Sequence, residues 1–229
     1  MASKARKAFD DNAKDIKRLL EIHQQFGGEK QGRRRQLEVL NKSGIVLITS
    51  FWEAYCEDLA AEALNHIITH APDADVLSKD IKKRIAKNLK DETNEIGVWK
   101  LAGEGWRKLL GSRFEDLRKE RNWNLNNPKS NKIDDLFLDA IGLKKISDAW
   151  LWKRMTAPQA CSKLDNYVTL RGAIAHRGKA AKSCWKVNVE DYFNHVNLLV
   201  SKTGGHVNKF VKDITGKPLW RKRIRLTNR

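Results

Sequence analysis

Four prolines and three cysteines in 229 residues leave few helix breakers and no covalent framework. Cys56, Cys161 and Cys184 are odd in number and far apart. Neither a disulfide scaffold nor a zinc cluster is expected, and the pattern suits a reducing cytoplasm. No apolar run reaches the ~18–20 residues that a membrane span needs. The N-terminal stretch MASKARKAFDDNAK lacks the apolar segment of a secretory signal, and its acids argue against a transit peptide. Acidic residues are the minority: 28 Asp and Glu stand against 45 Lys and Arg, a formal net charge of +17. The chain is still 41% hydrophobic, so it has material for a core and is no disordered polybasic tail. Walker, GxGxxG, GxSxG and HExxH patterns are all missing. What remains is a basic domain, expected to be cytoplasmic and free of cofactor and metal, whose partner is a polyanion.

What is present is helical periodicity. Phe9, Ile16, Leu19, Leu20, His23 and Phe26 fall on one face, which predicts an amphipathic helix ended by Gly27 and Gly28. A long helix is expected from about Arg35 to His70, stopping at Pro72; its centre, GIVLITSFWEAYC, is apolar nearly all round and so belongs inside a bundle. Residues 78–90 and 104–121 read as charged amphipathic helices, with a short helical turn around Trp99 between them. A polar loop over 122–132 leads to a short helix at Ile133–Ile141. Thr156-Ala-Pro-Gln159 has the form of a capping box, opening a helix to about His176. Asn188 reads as the cap of a last helix. Its stripe (Tyr192, Val196, Val200, Val207, Phe210, Val211, Ile214) keeps phase across Gly204-Gly205, which predicts one helix and not two. Strand alternation is almost absent. The fold class is therefore all-α, a single-domain helical bundle, and most of the eight Trp are expected in its core.

One segment carries candidate chemistry: Leu170-Arg-Gly-Ala-Ile-Ala-His-Arg-Gly178. The stripe of its helix runs Leu164, Tyr167, Val168, then Arg171, then Ile174 and Ala175, which puts Arg171 on an apolar face. A charge there is costly unless it is paired or faces a cleft or partner. His176 follows at the helix end beside Arg177. A planar guanidinium can hold phosphate oxygens, and an imidazole moves protons near neutral pH. The opposing reading is a buried Arg–carboxylate pair, with Glu53 or Glu57 as the acid. Glu53 itself is either the polar side of its helix, in line with Thr49 and Glu57, or a carboxylate that orients Arg171 or His176. Trp52 and Tyr55 read as core or dimer-interface aromatics. His66 and His70, at i and i+4, have no third ligand nearby and read as solvated helix-end histidines.

Three segments in order sharpen this. They are Ser50-Phe-Trp-Glu-Ala-Tyr-Cys-Glu-Asp-Leu59, the loop Asn126-Asn-Pro128 leading to Asp135-Leu-Phe137, and the Leu170–Gly178 segment. Together, over about Arg35 to Phe210, they resemble the RiboL-PSP-HEPN family of the HEPN superfamily. The resemblance implies a helical domain at 35–216, flanked by an N-terminal helix and loop at 1–34 and a basic tail at 217–229. It further implies a homodimer whose two Arg-x4–6-His motifs share a cleft. Active members are metal-independent endoribonucleases of toxin–antitoxin and antiviral systems. Here Arg171 and His176 would be the catalytic pair, with Glu53 and Arg177 in support. RNA would be the substrate, and an antitoxin or defence-system protein a further partner. Attack by the RNA's own 2′-OH would give a 2′,3′-cyclic phosphate and spare DNA. Gly172 stands where many active members carry a polar residue. That keeps an alternative in view: a non-catalytic HEPN subunit that binds nucleic acid or assembles with a separate effector.

The charge is concentrated near this segment. From Arg171 onward there are fourteen Lys and Arg against Glu190, Asp191 and Asp213. Lys179, Lys182 and Lys186 are expected to hold RNA phosphates, with Trp185 either a stacking face or a cover for the core. Arg221 and Arg223 extend the basic surface.

Overall fold

The computed structural model describes residues 2–27, 37–90, 95–112, 127–177 and 183–221. Among them lie α1 (Lys4–Gly27), α2 (Glu38–His70), α3 (Lys79–Lys90) and a 3₁₀ turn at Glu95–Leu101. The helical residues 105–112 of α4 follow, then α5 (Ser130–Ile141), a 3₁₀ turn at Ile146–Ala149, α6 (Ala157–Arg177) and α7 (Lys186–Thr215). No strand occurs among the described residues; Trp152 and Met155 form a lone antiparallel bridge. The all-α expectation is met.

α2 is the axis of the bundle because its apolar residues leave it no solvent face to speak of. Ile45, Ile48, Trp52, Cys56, Leu59, Ala63 and Ile67 are all buried, and α1, α5, α6 and α7 all pack on it. Burying seven such side chains is a large hydrophobic term, each of the bigger ones being worth about 1.5–3 kcal/mol. α2 ends at Ala71, extended before Pro72 as that proline requires. Its last carbonyls are not orphaned: Arg107 of α4 donates to the oxygens of Ile68 and Ala71.

α1 runs antiparallel to α2. Glu62 of α2 accepts from the backbone N–H groups of Lys4 and Ala5 (3.1 and 3.2 Å) and so caps α1's first turn. Ala5, Phe9 and Ile16 enter the common core. The expected stripe fades toward the end of α1, however. Phe26 is 78% exposed, because the core contact is over by Ile16 and Leu20 is already half-buried.

α7 runs parallel to α2 and is bound to it by three polar contacts. Asn41 Nδ2 donates to the Cys184 carbonyl just ahead of α7 (3.0 Å), Thr49 Oγ1 meets Tyr192 Oη (3.0 Å), and Tyr55 Oη donates to the Val200 carbonyl (2.9 Å). α7 is indeed continuous across Gly204-Gly205. Its start is earlier than expected: Trp185 is the cap, and Asn188 sits at the third helical position, accepting from the Trp185 N–H at 2.9 Å. Gly216 closes it with φ +70°, a left-handed conformation open to glycine. At the head of α6 the capping box is present: Thr156 N–H donates to Gln159 Oε1 (2.9 Å), and Gln159 N–H to Thr156 Oγ1 (3.4 Å).

The tryptophans divide more evenly than expected. Trp52, Trp106 and Trp150 are buried, while Trp99 and Trp185 are exposed. No helix among the described residues is long and apolar enough to cross a membrane.

Candidate functional site

α6 packs antiparallel to α7 and across α2, with Ala160, Leu164, Val168 and Ile174 buried. At 100° per residue this stripe points Arg171 inward with them. Arg171 is half-buried and its Nε is fully covered. It lies close enough to Glu53 of α2 and Tyr192 of α7 to act on the ionisation of both.

Glu53 is therefore not on a solvated side of α2. Thr49, one turn before it, is fully buried and hydrogen-bonded to the Ile45 carbonyl and to Tyr192 Oη. Burial pushes the Glu53 carboxyl up to about 7, the neighbouring Glu57 adds to the rise, and Arg171 opposes it. Burial likewise holds the Tyr192 phenol well above its ordinary range, against smaller opposing effects of Thr49 and Arg171. The result is a small polar island between three apolar helices: an acid balanced near neutrality, a guanidinium and a phenol.

His176 lies apart from this island. It is exposed on the last turn of α6. Five residues turn a helix by about 500°, so Arg171 and His176 leave the axis about 140° apart, with about 7.5 Å of rise between them. Ala175, expected on the buried stripe, is exposed too, because α6 has by then run past the core. Arg177 is the last residue of α6. Lys179, Lys182 and Arg223 lie outside the described residues. Trp185 is 45% exposed at the start of α7, and Lys186 beside it pairs with Glu190 at 3.4 Å. Arg221 is exposed.

The RiboL-PSP-HEPN family model matches residues 10–211, nearly the whole chain. The chain belongs to the RiboL-PSP-HEPN family. The match reaches back into α1 and covers Glu53, Arg171, His176 and Tyr192 alike. HEPN membership points to nuclease or other nucleic-acid-related work, and the superfamily often includes ribonucleases. Neither curated proteins nor solved structures yield a match.

Two components of the site were not read from the sequence as parts of it. Tyr192 was taken only as one residue of an apolar stripe, and Thr49 only as a polar position. Their joint signal was available: a phenol on a buried stripe needs a polar partner, and Thr49 is the rare hydroxyl in the apolar centre of α2. His66 and His70 stack on each other at 4.2 Å, and no group of three metal-type ligands occurs among the described residues.

Proposed function

We propose that this HEPN protein is a metal-independent endoribonuclease of a bacterial defence or toxin system. Its site is Arg171 and His176, in a cleft completed by a second copy of the chain. The observation that carries the reading is Arg171 itself: a guanidinium placed on a core-facing stripe, beside a carboxyl held near neutrality, one and a half turns before an exposed histidine. The two side chains diverge by about 140° on their own helix. A C₂ pair of α6 helices brings both kinds of group to one cleft without a second motif in the chain. Arg221, Lys186 and the cations of 177–182 and 222–229 bring RNA phosphates toward it. The defence or toxin setting follows from family membership alone.

In this reading His176 accepts the proton of the RNA 2′-OH as that oxygen attacks the adjacent phosphorus. Arg171 holds the extra negative charge on the phosphoryl oxygens. The bond to the 5′-oxygen breaks, and the partner's imidazole supplies the proton the leaving group needs. The products are a 2′,3′-cyclic phosphate and a 5′-OH. Glu53, able to hold or release a proton near neutral pH, sets the net charge around Arg171 and so orients it.

One observation favours the second reading, a non-catalytic HEPN nucleic-acid-binding or assembly subunit. Arg171 already has a carboxyl close by inside its own protomer, as a purely structural pair would. A single experiment separates the two. Purified protein is incubated with RNA and with DNA of the same sequence in EDTA, beside Arg171→Ala and His176→Ala. Cleavage of RNA alone, lost in both variants, is expected. Cleavage that survives either substitution, or that needs a divalent metal, refutes the mechanism. Salt-sensitive binding with no product supports the subunit reading.

A further inference from the structure

A groove of about 480 Å³ lies between α6 and the start of α7, one helix face away from the Arg171 island. Ser162, Asn166, Tyr167 and Leu170 line it from α6, with Asn188 and Asp191 opposite. Its charges are already satisfied. Asp191 takes a salt bridge from Lys163 Nζ at 2.7 Å and a hydrogen bond from Tyr167 Oη at 2.8 Å. An anion entering here would meet Asp191, and a cation would meet Lys163. The groove therefore suits an uncharged ligand with polar edges.

Tyr167 narrows that to a flat one. Its ring lies parallel to Tyr192, 4.3 Å away and 11° from coplanar, so one face is covered and the plane of the ring is fixed. The ring is half-buried and borders the groove, which leaves the second face to a ligand. Beside it Ser162 and Asn166 are exposed and point from the same strip of α6, at i and i+4. A hydroxyl and a primary amide offer the donors and acceptors that read the edge of a base. Tyr167 also stands one turn before Arg171, about 6 Å along the axis, a step comparable to one nucleotide of an extended strand.

We propose that this groove is a nucleobase subsite for single-stranded RNA: Tyr167 stacks on the base next to the scissile phosphate, and Asn166, with Ser162, reads its edge. The proposal rests on the reading of Arg171 and His176 as an RNA-cleaving pair and adds a source of base preference to it. Stacking supplies the affinity and the amide the choice.

The test uses the full chain carrying His176→Ala, so that bound RNA stays intact, and four fluorescent homopolymeric hexaribonucleotides read by anisotropy. One homopolymer is expected to bind best. Asn166→Ala on that background should level the four affinities. Tyr167→Leu should weaken the preferred one about tenfold, while Tyr167→Phe, which keeps the ring, should retain most of it. Asn166 is exposed, so its removal leaves the fold intact even if Tyr167→Leu does not. Equal affinities at the outset, or a preference that survives Asn166→Ala, overturns the proposal. So does a shift in sedimentation from dimer to monomer with RNA affinity unchanged, which would make the groove a contact between chains. The cleavage reading fails separately: a protein with His176 intact that cuts no RNA, yet prefers one base through Asn166, loses its assigned activity and keeps its subsite.

Discussion

Replacing Glu53 by Gln separates two opposed forces on one carboxyl. Burial and Glu57 push its pKa up, and Arg171 pulls it down, leaving it at about 7 against an ordinary 4.5. At about 1.4 kcal/mol per pKa unit the shift corresponds to about 3.4 kcal/mol, which solvent screening at this half-buried position reduces to about 1–2 kcal/mol. The sign follows from linkage. Below the unfolded value both states hold the proton and nothing is lost. Between 4.5 and about 7 the unfolded chain ionises while the fold keeps its proton, so the wild type loses stability as pH rises. Glutamine has the same shape and no charge, and it escapes this loss. Urea unfolding of both proteins between pH 4 and pH 8 should show the variant's stability, relative to wild type, rising by about 1–2 kcal/mol. Taking the difference removes any constant effect of the substitution and every other titrating group. A flat difference would mean that Glu53 is not perturbed. A falling one would mean that Arg171 outweighs burial and that the pair is an ordinary salt bridge.

Adjacent glycines in α7 should respond with opposite signs. A methyl on Gly204 would stand 2.7 Å from Tyr55 Oη, which is fixed on the Val200 carbonyl, so Gly204→Ala should cost about 1–3 kcal/mol in urea unfolding. A methyl on Gly205 meets nothing within 4 Å, and Gly205→Ala should add about 0.5–1 kcal/mol, with equal signs for the pair refuting the packing argument. Gly172, inside α6 next to Arg171, has the same open surroundings. Gly172→Ala should raise the melting temperature by about 1–4 °C with RNA cleavage unchanged; lost cleavage in a stabilised variant would show that substrate approaches this stretch of backbone.

Much of the bundle was legible because helical period is local. The stripe of α7 kept its phase through two glycines, and α2 announced its central place by having no polar side. The Thr156 capping box depends on four consecutive residues and was readable for the same reason. The misreadings share a different cause. Phe26 fits the stripe of α1, but the stripe does not say where the opposing helix stops covering it. Asn188 is a good cap by type, yet the helix begins three residues earlier, and there Asn188 serves the same end of α7 from inside it. In the site, the inward aim of Arg171 and its divergence from His176 follow from angle alone. The pairing with Glu53 does not, because a helix apolar on every side gives no preferred face, so nothing local says which of its acids is buried.

The three polar contacts between α2 and α7 join residues 143, 143 and 145 positions apart, a nearly constant offset. Apolar ridges are interchangeable, and two helices packed by them alone can slide past each other by a turn with little loss. Here a slip of one turn, about 5.4 Å, would break all three hydrogen bonds at once and strand their buried groups, at about 1–3 kcal/mol each. The contacts act as a ratchet pawl on the axial setting of the two helices. Glu53 and Tyr192 ride on those same helices, so the height at which both meet Arg171 is set by hydrogen bonds that touch neither the guanidinium nor any substrate.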